Sequence, residues 1–125
     1  MGIEIDLLKN YPKTKRDTND RSNKKSSNDI AIARKFEKDF FDGDRRYGYG
    51  GYHYNSKYWK DVIPDMIDYF NLDNKSSILD IGCAKGFTLY EFTKLLPGIT
   101  IQGIDISKYA IENGKEEVKP FLEVG

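Results

Sequence analysis

The chain has 125 residues, enough for one small domain. Its 20 basic and 20 acidic side chains cancel, which argues against a protein built mainly to grip nucleic acid, and 38% hydrophobic content suits a globular core. The single cysteine, Cys83, excludes an intramolecular disulfide and fits a reducing, cytoplasmic setting.

Charge is unevenly placed. Residues 1–50 carry 12 basic and 9 acidic side chains, a balance of +3, and residues 51–125 carry 8 and 11, a balance of −3. No apolar run approaches the ~20 residues a membrane span needs. The opening "MGIEIDLLKNYPK" lacks the charged-then-apolar order of a secretory leader, and Asp6 stands where a myristoylation pattern needs Ser or Thr.

In chain order, residues 10–29 contain almost no apolar side chain after Tyr11, too few to offset the entropy of ordering. Residues 1–29 are therefore expected to form a flexible basic arm. An anionic partner for it is conceivable, and a solvated arm is the plainer reading. Residues 30–57 read as a helix followed by a leader loop. "IAIARKFEKDFF" places Ile32, Phe36 and Phe40 at helical spacing. The loop "DGDRRYGYGGYHYNSKYW" sets Gly48, Gly50 and Gly51 among tyrosines, which suits either a lid over a ligand or an aromatic packing layer. His53, the one histidine, is a candidate general base or an ordinary hydrogen-bonded loop residue.

Residues 58–125 alternate helix and strand. Trp59, Val62, Ile63, Met66, Ile67 and Phe70 mark a helical face, with a kink or a restart expected at Pro64. Ser77 to Ile81 reads as a buried strand, Phe87 to Leu96 as a helix stopped by Pro97-Gly98, and Thr100 to Ile104 as a second strand. Ser107 should cap a helix reaching about Val118, and Phe121 to Val124 a third strand. The order β-α-β-α-β predicts an α/β fold with parallel strands and helical crossovers.

The turn Gly82-Cys83-Ala84-Lys85-Gly86 lies at the carboxyl end of the first strand, where open parallel sheets bind ligands. Asp105 ends the second strand 23 positions after Gly82, close to the ~20 expected for an acid that takes ribose hydroxyls. A dinucleotide fingerprint needs small residues at relative positions 1, 3 and 6, and here the sixth is the bulky Phe87. The small residues fall at 82, 84 and 86 instead. Asp80, two residues before the turn, suits a cationic ligand better than a pyrophosphate. An NAD(P)-type oxidoreductase and a non-enzymatic binding module stay open as alternatives.

"ILDIGCAKGF" resembles the first motif of the class I S-adenosylmethionine-dependent methyltransferases, with Ala84 in place of the usual middle glycine, and "IQGIDIS" resembles their second. The stretch from Ile30 to Trp59 is similar to the leader of a subgroup found among surface-polysaccharide biosynthesis proteins. The resemblance implies a Rossmann-like fold of which this chain, ending after its third strand, supplies the cofactor-binding half. It also implies S-adenosylmethionine as cofactor, no metal, and methyl transfer to a small-molecule or saccharide acceptor. Gly82, Cys83, Ala84 and Gly86 would line the methionine side, Asp80 would support the amino group, Asp105 would bind the ribose and Ile106 would pack on the adenine. Each has a plainer role: Asp80 could satisfy its own turn, Asp105 could cap the next helix, Cys83 could be a small turn residue, and Lys85 is expected to face solvent. No catalytic residue is implied.

Overall fold

The computed structural model describes residues 2–13 and 25–125. Part of the expected basic arm, residue 1 and residues 14–24, lies outside the described residues.

Helix α1, Ser27–Ala33, opens three residues before the expected boundary at Ile30. The reason is a capping box. Ser26 Oγ accepts from the Asp29 N–H at 3.0 Å, and the Asp29 carboxylate accepts from the Ser26 N–H at 3.1 Å. Residues 27–29 are thus helical and not part of an arm.

The single helix expected across residues 30–41 is two. Phe36 sits at φ +50°, a left-handed conformation no helix interior holds, and α2, Lys38–Asp42, begins beyond it. The break lets Phe36 meet Phe40 edge to face at 5.0 Å between ring centroids.

Helix α3, Val62–Phe70, carries Pro64 in its first turn. The N–H that proline lacks would be unsatisfied there in any case, so the helix opens close to Pro64, and Trp59 precedes it. Val62 and Ile63 are fully buried. Asn71, left-handed at φ 52°, ends α3.

Strands β1 (Ser77–Ile81), β2 (Thr100–Asp105) and β3 (Leu122–Val124) form one parallel sheet in that order, with Ile78 opposite Ile101 and Asp105 opposite Val124. Helix α4, Phe87–Leu95, crosses from β1 to β2, and α5, Lys108–Glu112, lies between β2 and β3. This is the expected α/β, Rossmann-like order. Leu89, Ile99, Ile101, Ile111, Val118 and Leu122 form the core with Cys83.

Two details differ from expectation. Helix α5 stops at Glu112 and not near Val118: the Lys115 N–H leaves the helix to donate to the Lys85 carbonyl at 2.9 Å, and Gly114 packs so closely on Leu122 that a Cβ there would lie 2.7 Å from it. And β1 is not buried on both faces. Leu79 is 54% exposed and Ile81 78%, since no described element packs on that side of the sheet.

Candidate functional site

Alternation of small residues in the β1–α4 turn has a backbone cause. Gly82, Ala84 and Gly86 all hold positive φ, at 83°, 50° and 79°. The turn is pinned to β2, whose Ile104 carbonyl accepts from the Gly82 N–H at 2.7 Å and the Cys83 N–H at 3.1 Å. A Cβ on Gly82 would meet nothing within 4 Å, so that glycine serves a dihedral and an open space. A Cβ on Gly86 would lie 2.9 Å from Val118, so Gly86 faces the core.

Cys83 faces the core too. It is buried against Gly103, where an added Cβ would lie 2.8 Å from its Sγ. Burial first, then the charges of Asp80 and Asp105, push its thiol up to about 12, far from a nucleophile's range.

Above the turn opens a cavity of about 420 Å³, within the range of small-molecule sites. From the sheet side it is bordered by Ile81, Gly82, Ala84, Ile104, Asp105 and Ile106, and from the leader by Phe36, Phe40, Phe41 and Tyr49. Of the sequence-expected residues, Gly82, Ala84, Asp105 and Ile106 therefore meet at one cavity, while Cys83 and Gly86 hold the turn against the core.

Asp105 is the one charged side chain on the lining. Its Oδ2 accepts from the Ala84 N–H and its Oδ1 from the Ser107 N–H, both at 2.8 Å. It thereby closes the turn onto β2 and leaves further acceptor positions on each oxygen. Ser107 caps α5 as expected, accepting from the Ala110 N–H at 3.0 Å.

Asp80 is not on the lining of the cavity but close enough to the lining residue Asp105 to feel its charge. It is half-buried, opposite Gly103 in the sheet, and its carboxylate takes no hydrogen bond among the described residues. The plainer role of satisfying its own turn is thus not seen. Burial, reinforced by the charge of Asp105, raises its pKa above the ordinary 3.8.

Lys85 does not face solvent. It is 6% exposed, and its Nζ donates to Asp42 Oδ2 at 2.6 Å and to the Tyr52 carbonyl at 2.9 Å. Tyr109 Oη donates to the same Asp42 oxygen at 2.6 Å. Burial would raise Asp42, but the hydrogen bonds from Lys85, Tyr109 and the Tyr52 N–H, with the Lys85 charge, outweigh it and hold Asp42 at about 2. The leader is tied down at two more points. Glu37 accepts from the Tyr109 N–H at 3.0 Å, and Tyr54 donates to the buried Glu91.

The aromatic wall of Phe36, Phe40 and Phe41 escaped the sequence reading, which assigned the first two to a helix face. The clustering of three phenylalanines before a glycine was the available signal. Of the expected tyrosine–glycine lid, Tyr49 borders the cavity, whereas Tyr52 and Tyr54 pack on Phe87 with centroids 4.8 and 5.9 Å away. His53 lies apart from this cavity, exposed, at a second one.

Residues 72–121 match a family model described as a methyltransferase domain. Among solved structures, the chain is similar to MccD protein, at 30% identity and a TM-score of 0.43 over 50% of this chain and 29% of that one. It is also similar to a structure described as the conversion of a disulfide bond into a thioacetal group during echinomycin biosynthesis, at 23% identity and a TM-score of 0.37 over 48% of this chain and 27% of that one. The chain thus spans less than a third of the length of either structure. No curated protein matches the chain.

Proposed function

We propose that the chain binds S-adenosylmethionine in the cavity above the Gly82–Gly86 turn and forms the cofactor-binding part of a methyltransferase. One observation carries this reading: the methyltransferase-domain match over residues 72–121 encloses a turn whose open glycine, Gly82, and ribose-type acid, Asp105, border the same cavity. The donor set suits a cationic nucleoside. Asp105 has oxygen positions left for two hydroxyls, and Ile106, 66% exposed, offers an apolar face to a base. Asp80 takes no hydrogen bond among the described residues and lies near Asp105, so a ligand ammonium beside it would lower the cost of its charge.

When bound, the cofactor supplies a methyl group on a positively charged sulfur. The chain's own residues bind and orient it. Gly82 and Ala84 keep the backbone open, the two carboxylates set a negative local field, and the phenylalanine wall with Tyr49 excludes water from one side. We assign proton removal from an acceptor to no residue here. A small-molecule or saccharide acceptor, and a cytoplasmic setting, are carried forward on the leader's resemblance and on the lone buried cysteine.

Calorimetric titration of the chain with S-adenosylhomocysteine and, separately, with NAD tests the reading. Saturable binding of the first and not the second is the expected result. Binding of NAD alone would reinstate the dinucleotide reading, and binding of neither would remove the cofactor assignment.

A further inference from the structure

A second cavity, of about 370 Å³, shares Tyr49 with the first. Tyr49 borders both cavities, and its ring packs on Tyr52 at 4.5 Å and on Phe40 at 5.3 Å. The two are opposite in charge. The first has Asp105 as its one charged lining residue, and the second has Arg45, with no carboxylate on its lining.

Arg45 is not neutralised within the described residues. Its Nη1 donates to the Gly48 carbonyl at 2.8 Å and to the Tyr49 carbonyl at 3.1 Å, and no acid lies within ion-pair reach. Its neighbour Arg46 does meet an acid, Asp44, at 3.7 Å. The two carbonyl contacts fix the Arg45 head at the cavity and leave the other guanidinium donors for an incoming acceptor. Gly50, at φ +69°, allows this placement, since a Cβ there would lie 2.9 Å from the Arg45 Cδ. The remaining walls are mostly flat and apolar: Tyr11, Pro12, Tyr52, Tyr58, Trp59 and Phe87, with the exposed His53 beside them; Tyr11 itself stacks on Tyr58 at 5.6 Å and meets Trp59 edge to face at 6.1 Å. Aromatic faces of this kind hold rings, planar or saccharide, by stacking and C–H contact.

We infer that this cavity is a binding site for a ring compound carrying a carboxylate or phosphate, its anionic group on Arg45 and its ring against Tyr52, Tyr58 and Trp59. The site stands independently of the cofactor reading, because neither Arg45 nor the aromatic walls other than Tyr49 belong to the first cavity.

Trp59 is the only tryptophan and lines the cavity, so its fluorescence reports occupancy directly. The test titrates the whole chain, without cofactor, with glucose 6-phosphate against glucose and with benzoate against benzyl alcohol. The expected result is a saturable change with at least one anion that is about tenfold weaker for its neutral counterpart, the worth of one charge-assisted contact. The phosphate arm and the carboxylate arm distinguish the two sources of the anionic group. Arg45→Met should weaken the response by a similar factor, and Arg45→Lys should keep most of it. No saturable change with either anion, or equal responses to charged and neutral rings, would overturn the site. That comparison uses the unaltered chain, so it decides even if an Arg45 variant disturbs the loop.

Discussion

Ala84 holds a left-handed φ of 50° without glycine's freedom. A non-glycine residue there costs about 1–2 kcal/mol, partly offset by the chain entropy that a glycine would add to the unfolded state. Ala84→Gly should therefore stabilise the fold by up to about 1 kcal/mol, seen as a raised midpoint in thermal or denaturant unfolding. An unchanged or lowered midpoint would mean that the alanine methyl makes a compensating contact. Asp80 gives a second residue-scale prediction. Its folded pKa is raised, so it becomes protonated as pH falls towards that value, above the ordinary 3.8. A bound ammonium needs the ionised form. S-adenosylhomocysteine affinity should fall as pH falls through this range, and Asp80→Asn should weaken binding at neutral pH while flattening the profile. A profile identical in the variant would remove Asp80 from the site.

At the scale of elements, the leader is held to the rest of the fold by the Lys85–Asp42 ion pair with its hydrogen bonds, alongside the Glu37–Tyr109 and Tyr54–Glu91 contacts. Lys85 belongs to the β1–α4 turn, Asp42 to α2 and Tyr109 to α5, so three segments distant in sequence converge on one carboxylate. Lys85→Met leaves Asp42 without its cation, which should cost about 3 kcal/mol and release the leader. Hydrogen exchange of residues 37–54 would report it, and unchanged protection would show that the remaining contacts hold the leader. The pH sign follows from Asp42. Its folded pKa, about 2, lies below the ordinary 3.8, so its contribution is complete above 3.8 and is lost as pH falls towards 2. Leader release in acid should fall in that window.

For the molecule as a whole, the open sheet face is the main liability. Leu79 and Ile81, on one face of β1, are both more than half exposed, and β1 has β2 as its one neighbour among the described strands. An exposed apolar face beside an unpaired parallel edge favours self-association. Light scattering of the 125-residue chain should rise with concentration, and Leu79→Lys should reduce it without lowering helix content. Concentration-independent scattering from the unaltered chain would contradict this.

Much of the sheet and its helices was legible in the sequence because the signals are local. An Ile-Leu-Asp-Ile run after a turn is a strand, Pro97-Gly98 ends a helix, and Ser107 supplies an oxygen to Ala110. The alternation of Gly82, Ala84 and Gly86 likewise announced a turn, although it could not show that the first two border open space while the third faces Val118. Breaks at Phe36 and after Glu112 were not legible: the first depends on a dihedral that phenylalanine disfavours, the second on the Lys115 N–H meeting the Lys85 carbonyl far along the chain. Lys85 shows the limit most clearly. A lysine in a glycine turn reads as solvated, and only the convergence of Asp42, Tyr52 and Tyr109 around it makes burial favourable. Sequence by itself determined the β-α-β-α-β order and the cofactor-type turn, because periodicity and capping act within a few residues. The tertiary structure alone decided which side chains of that turn face a ligand, how the leader closes on it and where a second cavity forms, because these depend on contacts between residues 30 to 70 positions apart, such as the 43 between Asp42 and Lys85.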